Sequence, residues 1–290
     1  MKTISDLYLE ARRAFLKKEE PQYASLLARN LLCYVTGKTQ EQVLADRALY
    51  VDDSVCNAMS ELVERVLTGE PLAYVLGEWD FYGMKLHVDH NVLIPRDDTC
   101  AVTELTIRYA LSLESHPRIL DLCTGSGCIG LAVANKVADA KVTLADVSRD
   151  ALVVAKKNIT LQKLSARVTA VQVDALGDPP QFLGAFDMVV SNPPYITTQE
   201  MQELPESVKD FEPHLALHGG DDGLEFYRTI TNKYRTVLKP GGLLCFEFGM
   251  GQGDDVCAIL ETFGYTVLER TSDFNDRERA VIARYDGKDD

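Results

Sequence analysis

A chain of 290 residues with 46% hydrophobic and 26% charged side chains has material for one large or two modest globular domains, and its composition excludes a fibrous or disordered architecture. Its net charge of −14 is uneven: residues 1–75 carry 9 basic against 11 acidic side chains, and residues 76–290 carry 21 against 33. A surface built to displace counterions from phosphates is cationic, so this balance argues against a polynucleotide substrate.

No run reaches the roughly 18 apolar residues of a membrane span. Met1-Lys2-Thr3-Ile4-Ser5-Asp6 puts an acid where a signal peptide has its apolar stretch, so a cytoplasmic, membrane-free location is expected. Seven scattered cysteines include Cys33, Cys245 and Cys257 in apolar runs, and the close pair Cys123 and Cys128 is five apart rather than three. With His87, His90 and His116 forming no set with them, reduced thiols and no metal are expected.

The first third reads helical. Ile4, Leu7, Tyr8, Ala11, Ala14 and Phe15 recur at three- and four-residue spacing, as do Tyr23, Leu26, Leu27, Leu31 and Tyr34. Thr39-x-x-Gln42 is a capping box opening a shorter helix, and Val55, Met59, Leu62, Val63 and Val66 stripe a fourth that Gly69 ends. Residues 1–75 are therefore expected to form a small helical bundle, either a packing appendage or a docking module. In 76–97, Met84, Leu86 and Val88 alternate, Asp89-His90-Asn91 offers a turn, and Val92-Leu93-Ile94 follows, which predicts a linking β-hairpin.

Residues 98–290 alternate between strands and helices. Strands are expected over 118–123, 142–146, 168–173, 186–191, 243–248, 265–268 and 280–283, with helices near 131–134, 151–161 and 224–238. That pattern predicts an α/β domain with a seven-stranded, mostly parallel sheet covered on both faces.

After the first strand, Gly125-Ser126-Gly127-Cys128-Ile129-Gly130 matches G-x-G-x-x-G, and Asp146 follows at about the ribose-binding distance. Glycines let backbone approach a ligand and the acid accepts from ribose hydroxyls, so a nicotinamide dinucleotide and S-adenosyl-L-methionine both satisfy the loop. Asp121 tilts the choice, because a carboxylate repels a pyrophosphate and suits a sulfonium. The loop Asp121-x-x-Thr124-Gly125-Ser126-Gly127 also resembles the first motif of class I methyltransferases, in which Asp174 stands where the adenine region is contacted.

The fourth strand ends in Asn192-Pro193-Pro194-Tyr195, beyond the carboxyl edge where α/β sheets bind ligands. These residues suit a planar NH2 acceptor, whose delocalised lone pair is a poor nucleophile. The Asn192 side-chain oxygen and the Pro193 carbonyl would accept its two hydrogens, aiming the nitrogen and raising its electron density. The prolines hold that carbonyl outside any helix, and Tyr195 offers a flat face. Either a carboxamide or an exocyclic base amine meets this description.

Four further groups of residues carry a family resemblance: Gly69-Glu70-Pro71-Leu72-Ala73-Tyr74 with Gly77-Glu78; Val92-Leu93-Ile94-Pro95-Arg96; Ser191-Asn192-Pro193-Pro194-Tyr195-Ile196; and Glu212-Pro213, Ala216-Leu217, Gly219-Gly220, Asp222-Gly223-Leu224 and Tyr227-Arg228. In this order the chain resembles, over nearly its whole length, the HemK (PrmC) family of peptide chain release factor glutamine methyltransferases. The resemblance implies a class I S-adenosylmethionine-dependent fold with a helical N-terminal substrate-docking domain, and methylation of a glutamine side-chain amide in support of translation termination. It assigns the cofactor to Cys123, Thr124, Gly125, Ser126, Gly127, Asp146, Asp174, Ala175 and Asn192, and the glutamine to Asn192, Pro193, Pro194 and Tyr195. A release factor is the implied partner and a monomer is expected. Departures are Asp97 where many relatives have proline, Cys100 where they often have glutamate, and Ala175 in place of a larger residue. The rival reading is N-methylation of a DNA or RNA base, which needs base flipping and a cationic track that the acidic composition opposes.

Overall fold

The computed structural model describes residues 2–113 and 116–287. The chain divides into two compact units, Met1–Gly77 with Glu206–Phe211, and Glu78–Pro205 with Glu212–Asp290.

In the smaller unit the expected helices are Ile4–Phe15, Pro21–Thr36, Gln40–Ala45 and Asp53–Leu67, joined by an unforeseen short helix, Leu72–Leu76. Thr3 with Asp6 and Thr39 with Gln42 form reciprocal capping boxes that satisfy otherwise orphaned backbone donors. The apolar stripes meet in a core that includes Phe15, Leu27, Leu31, Leu32 and Met59. Each such side chain contributes about 1.5–3 kcal/mol of burial. Two-residue strands, Lys2–Thr3 and Tyr50–Val51, pair antiparallel, a contact too short to leave a periodicity in the sequence.

The hairpin differs from expectation. Its strands are Glu78–Phe81 and Met84–His87, and residues 92–94 lie in no strand. The turn falls at Tyr82 and Gly83, both with positive φ (49° and 76°), a geometry that matches the twist of a two-residue hairpin. The turn at Asp89-His90-Asn91 does form, with Val92 N donating to Asp89 O at 3.1 Å and Asn91 donating backbone and side-chain hydrogen bonds to the Asp89 carboxylate, but it lies beyond the hairpin. This hairpin groups with the larger unit.

The seven strands of the main sheet are β1 (Arg118–Leu122), β2 (Lys141–Asp146), β3 (Val168–Gln172), β4 (Phe186–Ser191), β5 (Leu238–Glu247), β6 (Tyr265–Ser272) and β7 (Glu278–Tyr285). Their order is β3-β2-β1-β4-β5-β7-β6, with β7 antiparallel to both neighbours and the other pairs parallel. Side chains alternate across it: Ile119, Met188 and Val190 enter one core, whereas Leu120, Val189 and Leu244 enter the other. β5 begins earlier than expected. Its pairing with β4 jumps from Phe186↔Leu238 to Met188↔Leu243, so Lys239 to Gly242 bulge out, with Gly241 at φ 73°. The preceding helix accordingly ends at Lys233, followed by a 3-10 turn at Tyr234–Val237.

Besides the short helices Glu200–Glu203 and Glu206–Lys209, two longer ones were not anticipated, Thr99–Ser112 and Gly253–Thr262. The first buries most of its circumference, including Val102, Thr103, Leu105, Thr106 and Ile107, and leaves only a narrow exposed stripe through Glu104, Arg108 and Leu111, too thin to reveal its period. The helix Cys128–Lys136 lies close on the sheet at Gly130, where an added Cβ would collide with Leu144 and come within 2.9 Å of Asp121 Oδ2 and 3.0 Å of Val142. Gly130→Ala should therefore lower unfolding stability by about 1–3 kcal/mol. A urea midpoint equal to wild type would show that this approach is not tight.

Candidate active site

The strand order reverses between β1 and β4, which opens a crevice at their carboxyl ends. Leu122 pairs with Ser191, and the Ser191 hydroxyl donates to the Leu122 carbonyl at 2.6 Å. The glycine loop leaves β1 at Cys123 and the Asn-Pro-Pro-Tyr segment leaves β4 at Asn192. Parallel register thus sets side by side two motifs that are about 70 residues apart in the chain.

Between them lies a cavity of about 300 Å³. Of the residues expected to hold ligands, Cys123, Thr124, Gly125, Ser126, Asp146, Asp174, Ala175, Asn192 and Pro194 line it. Gly127, Pro193 and Tyr195 do not. A Cβ on Gly127 would point at Leu144 and Leu131, so this glycine serves helix-to-sheet packing rather than the cavity wall. Thr99, Val92, Pro95, Ser148 and Phe226 also line the cavity and were not singled out as site residues. Ser148 had a local signal, since its hydroxyl caps the next helix by accepting from Ala151 N. Thr99 had none, because its helix was itself missed.

Asp146 is locked by the loop it serves. Its Oδ2 accepts from Gly125 N and its Oδ1 from Ser148 N, each at 2.9 Å. An ionised carboxylate has about four acceptor positions, so two remain for ligand hydroxyls. Burial nonetheless pushes its carboxyl above the ordinary range. Asp174 Oδ1 accepts from Leu176 N, and its carbonyl accepts from the Tyr234 hydroxyl, each at 2.9 Å. The cavity wall thus bears Asp146 and Asp174 and, among the described residues, no Lys, Arg or His. Such a wall favours a cation and disfavours a pyrophosphate.

Asp121 acts differently from the sequence reading. It is fully buried and absent from the wall; its Oδ2 accepts from the Thr124 hydroxyl at 2.6 Å and from Gly130 N at 2.9 Å. It fastens the loop rather than facing a ligand. Burial lifts its carboxyl to about 7, opposed by those two hydrogen bonds. Burial also drives the Cys123 and Cys128 thiols far up, which leaves them protonated and poorly nucleophilic.

The Asn-Pro-Pro-Tyr backbone is braced from behind. Ile196 N donates to Leu217 O at 2.9 Å and Gly219 N to Ile196 O at 2.8 Å. Gln252 Nε2 donates to Tyr195 O at 3.1 Å, while Gln252 Oε1 accepts from Gly249 N at 2.9 Å. A Cβ on Gly219 would stand 2.6 Å from the Pro194 carbonyl oxygen, and one on Gly223 would overlap Tyr195 O. Glycine is required at both places for the loop to lie this close. His218 makes a loop contact to Thr198 (3.0 Å), Asp222 pairs with Arg228, and Arg279 pairs with Asp98 (3.0 Å) and Asp273 (3.4 Å). Among the described residues no group of three or more His, Cys, Asp or Glu could hold a metal, and no helix is long and apolar enough to cross a membrane.

This strand order, with its switch-point cavity between a glycine loop and Asn-Pro-Pro-Tyr, defines a class I methyltransferase domain. The family described as "Methyltransferase small domain" matches residues 102–212, and that described as "PrmC N-terminal domain" matches residues 8–77. A release factor glutamine methyltransferase of Clostridium acetobutylicum is 36% identical over 97% of this chain and 98% of its own length. A second, from Fusobacterium nucleatum, is 38% identical over 77% of this chain and 62% of its own. The crystal structure of a Pyrococcus furiosus methyltransferase, at 19% identity and a TM-score of 0.51 over 79% of this chain and 100% of its own, shares the fold. The chain belongs to the release factor glutamine methyltransferase family.

The Asp121 carboxyl yields a prediction about pH. Because its folded value lies above the ordinary one, its stabilising contribution is complete below about pH 4 and is lost as pH rises through 7. Asp121→Asn removes that loss. The melting temperature of the variant relative to wild type should rise between about pH 4 and 7 and level off above. Parallel melting curves across that range would contradict the assignment.

Proposed function

We propose that this protein transfers a methyl group from S-adenosylmethionine to the side-chain amide nitrogen of a glutamine in a peptide chain release factor. The observation that carries this reading is the near full-length similarity to a release factor glutamine methyltransferase, combined with a cavity lined by Asn192 and Pro194 of the Asn-Pro-Pro-Tyr segment.

The residues present fit the cofactor. The cavity volume falls at the lower end of small-molecule sites, its wall carries acids and, among the described residues, no cation, and Asp146 has acceptor capacity to spare. Asp146 holds the ribose hydroxyls, Asp174 and Ala175 stand on the adenine side, and Cys123, Thr124, Gly125 and Ser126 supply the close backbone. When bound, S-adenosylmethionine supplies a methyl carbon made electrophilic by its positive sulfur.

The chain's own work is to prepare the nitrogen. Asn192 Oδ1 and the Pro193 carbonyl each accept one hydrogen of the glutamine NH2, which turns the lone pair toward the methyl and concentrates charge on nitrogen as the bond forms. Tyr195 is assigned to the acceptor plane, with its backbone fixed by Gln252. No strong base is needed, since the nitrogen becomes acidic only as it acquires the methyl. Residues 1–75 are assigned to docking of the release factor.

Asn192→Ala should lower turnover by at least about 100-fold with cofactor affinity little changed; near-normal turnover would remove the mechanism. Asp146→Ala should weaken S-adenosylmethionine by about 10- to 100-fold in calorimetry, and unchanged affinity would refute its ribose role. Incubation with labelled methyl donor should mark release factor and leave DNA and ribosomal RNA unlabelled. Label confined to nucleic acid would overturn the substrate assignment.

A further inference from the structure

An amide side chain has two nearly isosteric ends, and only the oxygen end of Asn192 can accept a hydrogen from an NH2 group. Something must therefore hold its nitrogen end away from the cavity. Asn192 Nδ2 donates to Thr99 Oγ1 at 3.4 Å, and Thr99 lines the cavity at the start of the helix Thr99–Ser112. Behind both lies Glu247, the last residue of β5. Its place follows from register: Ser191 pairs with Phe246, so Glu247 falls beside Asn192, while Ala280 of β7 pairs with Glu247 on the other side. Glu247 is 1% exposed, does not line the cavity, and its Oε2 has no hydrogen-bond partner.

We propose that Glu247 and Thr99 are positioning residues that set the hydrogen-bond polarity of Asn192, so that its oxygen, not its nitrogen, faces the substrate amide. This deepens, and rests on, the glutamine-methylation reading. A carboxylate only accepts, so ionised Glu247 draws the single hydrogen of the Thr99 hydroxyl. Asn192 Nδ2–H then has two acceptors on this side, the Thr99 oxygen and the Glu247 carboxylate, and Asn192 Oδ1 is left to the cavity. If Glu247 is protonated it becomes a donor; the Thr99 hydrogen is released to point at Asn192, and the amide can turn its nitrogen outward. The bond at 3.4 Å is long, as such bonds often are before substrate tightens the site.

The surroundings single out Glu247 as the member of this cluster that changes charge near neutrality. Burial raises its carboxyl to about 7, opposed by Thr99, Arg279 and Asn192, with Asp98 acting in the same direction as burial. Asp98 and Arg279 form an ion pair at 3.0 Å. Tyr195 from the loop and Tyr227 from the helix Glu225–Lys233 are held well above their ordinary range by burial, as is Cys128, and burial places Cys100 at about 11. Asp121 titrates in the same region but belongs to the glycine loop, so it contributes equally to wild type and to variants at position 247.

The test is methyl transfer to a purified release factor, followed from pH 5.5 to 8.5, for wild type, Glu247→Gln, Thr99→Val and Thr99→Ser. Wild-type turnover should rise with pH through a limb near 7. Glu247→Gln should lower kcat by about 10- to 100-fold at pH 8, leave the KM values for both substrates close to wild type, and lose the limb assigned to Glu247. Thr99→Val should match it, and Thr99→Ser, which restores the hydroxyl, should recover most of the turnover. A Glu247→Gln enzyme with unchanged kcat and an unchanged acid limb would overturn the proposal. So would a Thr99→Ser enzyme as slow as Thr99→Val, since that would make position 99 a matter of packing. Failure of wild type itself to label the release factor would instead sink the substrate assignment.

Discussion

The active centre depends on one constraint, the parallel register that sets Leu122 beside Ser191 and Ser191 beside Phe246. Because strands in a sheet repeat every two residues, that alignment fixes which side chain emerges at the carboxyl edge of each neighbour. It delivers the glycine loop, Asn192 and Glu247 to adjacent positions in space. A slip of one residue in β4 would turn Asn192 to the opposite face and bury the wrong side chain behind the cavity. The alternating burial of Met188, Val189 and Val190 between two cores makes such a slip costly.

Rigidity is added where chemistry needs it. The Asn-Pro-Pro-Tyr segment would be a loose exit from a strand were it not tied to residues 217–223 and to Gln252. The prolines donate nothing, so the support comes from the carbonyl of Tyr195 and from the two ladder bonds at Ile196. Glycines 219 and 223 let the supporting loop approach to contact distance. Across the cavity Asp146 on the wall and Asp121 behind it fasten the glycine loop from two sides, through Gly125 and Gly130 respectively. Acidic groups are thereby concentrated around a cavity whose wall, among the described residues, bears no cation, an arrangement suited to a positively charged cofactor and poorly suited to a phosphate chain. The acidic balance of residues 76–290 points the same way.

The sequence was most legible where periodicity and side-chain chemistry coincide. The seven strands stood out because Val, Ile and Leu runs end in glycine, aspartate or proline, and the capping box at Thr39 marked its helix correctly. It was least legible where the exposed face is narrow. The helix Thr99–Ser112 exposes only a thin stripe through Glu104 and Arg108, and with it went Thr99, which accepts from the Asn192 nitrogen. The hairpin was placed too late because Val92, Leu93 and Ile94 look like a strand, while the turn chemistry of Tyr82-Gly83 was overlooked. Asp121 was correctly seen as significant and wrongly aimed, since sequence spacing cannot tell a carboxylate that faces a ligand from one that ties its own loop. Glu247 reads as an ordinary strand residue until register sets it behind Asn192.

At the centre of this account two oxygens, one from the Asn192 side chain and one from the Pro193 main chain, hold an amide nitrogen in line for methyl transfer. The direct measurement is a crystal structure of the protein with S-adenosylhomocysteine and a glutamine-bearing release factor. Both oxygens should lie about 2.7–3.2 Å from the glutamine nitrogen. A complex in which that nitrogen is out of reach of either oxygen, or meets Asn192 Nδ2 instead, would contradict it.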